Sequence, residues 1–143
     1  MSSERLWIII DKLQHDMDRL KTIERGSYIW TNWTPSAQIG WTAIPTGSYR
    51  YCVIGKLVII AINMTAGTSN TTGANIALPF TAASTATGTN GMATNNGIVI
   101  TTATRWNIVN SGDMITFYTN MGAALWTASG TKIIACIAQY EKG

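Results

Sequence analysis

The sequence predicts a mainly β protein: an antiparallel β-sandwich or jelly roll preceded by one N-terminal coiled-coil helix. Three observations carry this reading. A heptad repeat is confined to the first 26 residues. From Gly26 onward the chain changes to short apolar or alternating runs separated by Gly, Asn, Thr, Ser and Pro. Charged residues make up only 12% of the 143, against roughly 25% in ordinary soluble proteins, so Thr, Asn, Ser and Gly carry most of the polarity.

Residues 3–25 contain no Gly or Pro and hold nearly all the acidic side chains, with Arg25 and Gly26 as C-terminal signals. Within this helix Leu6, Ile10, Leu13, Met17 and Leu20 are spaced four, three, four and three. That is a heptad with Leu at d and Ile or Met at a, a seam that one helix cannot bury alone. In the same register Asp16 falls at g and Lys21 at the following e, the placement for an interchain ion pair in a parallel bundle. The seam is assigned to oligomerisation, although an amphipathic helix can also pack on its own domain. Trp7, Ile8 and Ile9 join Ile10 in a collar that is apolar all round, and they are assigned to docking on another protein. Residues 1–26 form the helical part and 27–143 the β-domain.

No apolar run approaches the roughly 20 residues of a membrane span, so no membrane insertion is expected. The 7–10 stretch runs straight into Asp11 and Lys12. It lacks the apolar length and cleavage site of a signal peptide, and the mature chain is expected to begin at Met1.

In the β-domain, strands are predicted at 28–33, 49–64, 75–78, 97–102, 106–109, 114–119 and 131–140, the second divided by a turn or bulge at Ile54-Gly55-Lys56. Residues 81–96 have almost no large apolar side chain and read as an exposed loop. The 58–62 and 133–137 runs are apolar on both faces, which predicts that a partner subunit covers the outer face of their sheet. Cys52 and Cys136 lie in apolar runs and read as free, buried thiols.

The ionisable groups argue against catalysis. Glu4, Asp11, Asp16, Asp18 and Glu24 lie in the helix, as does the single histidine, His15, leaving Asp113 and Glu141 in the β-domain. A glycosidase needs two converging carboxylates, and a nucleophile of the Ser/His/Asp or Cys/His type needs a histidine base. Two cysteines and one histidine are too few for a zinc site. No catalytic residue, metal or cofactor is therefore expected. The net charge of +3 resides in the β-domain on scattered residues, Arg50, Lys56, Arg105, Lys132 and Lys142, a pattern that does not suit nucleic acid.

For ligand binding, Trp126 stands beside the turn-like 127–130 stretch and Trp41 between Gly40 and a Pro-Gly turn. Both are read as rings open to a sugar. Asn90 and Asn95, in the 81–96 segment, are the polar candidates.

The helix, followed by Trp33-Thr34-Pro35-Ser36, by Tyr49 to Tyr51 leading into Ile54-Gly55-Lys56, and by Ile76-Ala77-Leu78-Pro79-Phe80 and Gly112-Asp113-Met114-Ile115-Thr116-Phe117, resembles the small fibre and decoration proteins of tailed bacteriophages. The resemblance covers nearly the whole chain as a pattern of short motifs. It implies a homotrimer with a jelly-roll head on a coiled-coil stalk, made in the host cytoplasm and placed on the virion surface. Its partners would be its own copies and the major capsid protein or a tail protein. A head decoration, cement or short head-fibre protein is the first expectation. A tail-fibre tip or carbohydrate-binding module that recognises a host surface glycan is the second.

Overall fold

The computed structural model describes residues 2–27 and 29–143, with the side chains of 22–27 left out. One helix, α1 (Ser3–Ser27), leads into a mainly β body. The helix runs through Gly26 rather than ending before it. Among the described residues eleven strands follow: β1 (Thr31–Asn32), β2 (Gln38–Ile39), β3 (Thr46–Ile54), β4 (Leu57–Ala66), β5 (Asn75–Ala77), β6 (Ala86–Thr89), β7 (Met92–Asn95), β8 (Ile98–Val99), β9 (Arg105–Ile108), β10 (Met114–Tyr118) and β11 (Ile133–Glu141).

They form two antiparallel sheets, one of six strands in the order β1-β3-β4-β11-β7-β8 and one of five in the order β2-β5-β10-β9-β6. Alternation decides which side chains meet between them. Val58, Ile60, Ile62 and Met64 of β4 and Ile134, Cys136, Ala138 and Tyr140 of β11 point inward from the first sheet. Ile76, Trp106, Ile108, Ile115 and Phe117 point inward from the second, and all belong to one buried cluster. Two sheets enclosing a single core is an arrangement consistent with a β-sandwich.

The break expected near Gly55 is a two-residue turn: Ile54 pairs with Leu57, and Gly55 has a φ of 60°, which a glycine adopts without strain. The strand expected at 28–33 is only Thr31–Asn32, with Tyr28 outside the described residues. The 97–102 run pairs only at Ile98–Val99.

The exposed loop expected at 81–96 is a correction. It contains β6 and β7, and Ala82, Ala93 and Thr94 within it are buried. Its small residues are a packing requirement. Gly88 sits opposite Trp106 across the β6–β9 pair, and a Cβ at Gly88 would lie 2.5 Å from the indole. The strand has no large apolar residue because its neighbour's tryptophan occupies that space.

Apolarity on both faces of β4 and β11 is confirmed in position. On the outer face Ile137 is 70% exposed, Ile54 and Leu57 are exposed, and Ile59 and Ala61 are half-buried.

Gly88→Ala is expected to push the Trp106 ring off its strand and cost about 1–3 kcal/mol. A urea titration monitored by tryptophan fluorescence measures it.

Candidate functional site

The helix presents its seam to solvent. Leu6, Ile10, Leu13, Met17 and Leu20 are between 44% and 59% exposed, and Trp7, Ile8 and Ile9 are exposed as well. The seam is therefore not packed on the chain's own β-domain. Asp16 lies 3.9 Å from His15. Lys21 is exposed, so both members of the expected e/g pair stand on an open helix.

The two tryptophans expected to be open are closed. Trp41 is 1% and Trp126 3% exposed, so neither can stack on a sugar. Their indole N–H groups are spent inside the protein, Trp41 donating to the Lys132 carbonyl at 2.8 Å and Trp126 to the Phe117 carbonyl at 2.8 Å. Turn-like neighbours mislead here, because both rings turn inward toward the buried Lys132. Gln38 grips the Trp41 backbone from both sides, donating to its carbonyl at 2.7 Å and accepting from its N–H at 3.0 Å. Asn70 donates to the same carbonyl at 2.9 Å.

Asn90 and Asn95 are also engaged internally. The Asn90 amide donates to Thr104 Oγ1 at 2.9 Å, while its buried Oδ1 has no partner among the described residues. Asn95 Oδ1 accepts from the Thr127 N–H at 2.9 Å. Both tie loops to the β-domain.

Between the two tryptophans lies Lys132, which is fully buried. Its Nζ donates to three backbone carbonyls: Gly40 at 2.9 Å, Thr71 at 2.9 Å and Gly73 at 2.6 Å. An ammonium has three donors and no acceptor, so its hydrogen-bonding capacity is filled. The Trp41 and Trp126 rings stand 5.2 and 5.8 Å from the nitrogen, within cation–π range. Gly40, with a φ of 110°, permits this closeness: a Cβ there would lie 2.1 Å from the Gly73 carbonyl oxygen. Sequence reasoning counted Lys132 among scattered charges. The missed signal was parity, since Lys132 shares its face with Ile134, Cys136, Ala138 and Tyr140.

Both cysteines are buried and unbridged, as expected. Among the described residues no group of three or more His, Cys, Asp or Glu side chains is placed to hold a metal ion, and no helix is long and apolar enough to cross a membrane.

Burial sets an unusual alkaline profile. It pulls the Lys132 pKa from 10.5 to about 8, and pushes Cys136 from 9.0 to about 12 and Tyr49 from 10.0 to about 12. It also pushes Tyr140 from 10.0 to about 12, against an opposing hydrogen bond to Phe80. Between pH 8 and 10.5 the unfolded chain keeps the Lys132 proton that the folded chain releases, so stability rises with pH. Above pH 9 for the thiol and 10 for the phenols, the unfolded chain loses protons that the folded chain retains, so stability falls. Urea midpoints measured from pH 7 to 11 are expected to peak between pH 9 and 10. Lys132→Met should lack the rise and lose at least about 3 kcal/mol at pH 7, because the buried Gly40 carbonyl and the part-buried Thr71 and Gly73 carbonyls lose their donor, at roughly 1–3 kcal/mol for each that is left unpaired.

Comparison with family models, with curated proteins and with solved structures returns no match for this chain.

Proposed function

We propose that the chain is a non-enzymatic structural protein of a bacteriophage virion: a homotrimeric head decoration, cement or short head-fibre protein. In this reading α1 forms a parallel coiled coil through Leu6, Ile10, Leu13, Met17 and Leu20, with Asp16 of one copy facing Lys21 of the next. The apolar collar at Trp7, Ile8 and Ile9 docks on the major capsid protein or a tail protein, and the β-body, read as a jelly roll, projects outward.

The observation that supports this most is the open heptad seam. Five apolar side chains on one stripe of a 25-residue helix are left in water by the β-body they precede, and knobs-into-holes packing with other copies is what this spacing serves. The outer face around Ile54, Leu57 and Ile137 supports the same reading, because it is a second apolar surface on the chain without cover.

Size-exclusion chromatography with light scattering at micromolar concentration is expected to return three times the chain mass. A monomer would sink the proposal. Leu13→Asp combined with Leu20→Asp should convert the trimer to monomers while leaving the near-ultraviolet circular dichroism of the β-body intact. Copies per particle then separate the locations, since hundreds indicate the head and a handful the tail.

A further inference from the structure

The outer faces of the two sheets differ in kind. On the five-stranded sheet the row Thr87, Asn107, Thr116 and Asn75 crosses four strands, and Asn75 donates to Thr116 Oγ1 at 2.7 Å, so that face carries the polarity expected against water. On the six-stranded sheet the register sets Arg50, Ala61 and Ile137 in one row and Ser48, Asn63 and Ala135 in the next. Parity puts all six on the side away from the core, because their strand neighbours Tyr49, Ile60, Ile62 and Cys136 are buried in it. These six residues help line one depression of about 340 Å³.

The relief of the depression is a floor of small residues beside a standing knob. Ala61 and Ala135 are half-buried, whereas Ile137, the cross-strand neighbour of Ala61, is 70% exposed. Met92 stands on the far side, paired with Ala135 and exposed as well. Arg50 is the single charge lining the depression among the described residues, and its guanidinium lies over the Trp30 ring, 5.4 Å from the centroid, which lowers the cost of covering it.

This apolar surface is continuous with the helix. Ile29 and Trp30, which lie between α1 and β1, are both exposed, and the contact with Arg50 places the Trp30 ring on the outer face. The connection is also short. α1 ends at Ser27 and β1 begins at Thr31, a span of at most roughly 14 Å, and packed helices lie about 8–10 Å apart. A parallel bundle of α1 therefore sets three β1 margins side by side, each on a body roughly 30 Å across, with no linker long enough to hold those bodies apart. β1 belongs to the six-stranded sheet, the one whose outer face is apolar.

We infer that this face packs against a second copy of the chain, with Ile137 of one β-body seated on the Ala61 and Ala135 floor of the next. The inference rests on the trimeric reading of α1. A knob and a floor on every copy make a head-to-tail contact, which closes into a ring when the rotation between copies is a third of a turn.

Thiol labelling tests this. Cys52 and Cys136 are buried, so the parent chain sets the background. In Ala135→Cys, a change that leaves the knob in place, the new thiol is expected to react with a maleimide at least tenfold more slowly in the otherwise unaltered chain than in one that also carries Leu13→Asp and Leu20→Asp. Thr87→Cys, on the polar face, should react at one rate in both. Ile137→Asp should lower the thermal midpoint of the trimer and leave that of the chain with the broken helix unchanged. If light scattering returns three copies and the thiol of Ala135→Cys labels equally in both backgrounds, this contact is overturned while the trimer stands. A monomeric parent chain overturns both. Equal losses from Ile137→Asp in the two backgrounds would show that Ile137 acts within one body, and would likewise overturn the contact.

Discussion

A lysine ammonium sealed in an apolar interior obliges its surroundings to supply acceptors, since an unpaired buried charge costs several kcal/mol. Lys132 obtains them from Gly40, Thr71 and Gly73 rather than from a carboxylate. Backbone carbonyls cannot swing toward a partner as side chains do, so whole segments must be delivered to the nitrogen. The turn after β2, the connection before β5 and the approach to β11 are drawn to one point. Because β2 and β5 belong to one sheet and β11 to the other, the cation fastens the two layers together at this end of the core.

The same requirement accounts for neighbours that would otherwise look unrelated. Trp41 and Trp126 flank the nitrogen and shield it from water. Gly67 admits the Trp41 ring, since a Cβ there would lie 2.9 Å from it. Ser69 closes the assembly by donating to the Thr127 carbonyl at 2.6 Å. What reads in the sequence as a set of Thr, Asn and Gly turns is, in three dimensions, the coordination shell of a single positive charge.

The legible parts of this chain were those governed by local period. The heptad, the Gly55 turn and the apolar runs expected at 49–64 and 131–140, which hold most of β3, β4 and β11, follow from spacing and apolar content that a short window contains. The misread parts were governed by what lies opposite. Ala86-Thr87-Gly88-Thr89 is a strand because Trp106 fills the space across from it, and no property of those four residues announces the tryptophan. Trp126 was misjudged for the same reason, since its ring turns inward to the Phe117 carbonyl and Lys132. Lys132 lay between these cases, its face fixed by parity but its acceptors more than fifty residues away in the chain.

The position of β11 has a consequence for the order in which the molecule can form. It is the last of the described strands in chain order, yet it lies in the interior of its sheet, paired along β4 on one side and with β7 on the other. Until its residues leave the ribosome, β4 remains a long apolar edge and the carbonyl cage has no cation. The β-body therefore cannot mature from its N-terminus outward during synthesis, and a chain truncated before residue 132 would lose a central strand and the fastening of both layers. The two layers therefore close only once residues 132–141 are present to fill the place between β4 and β7.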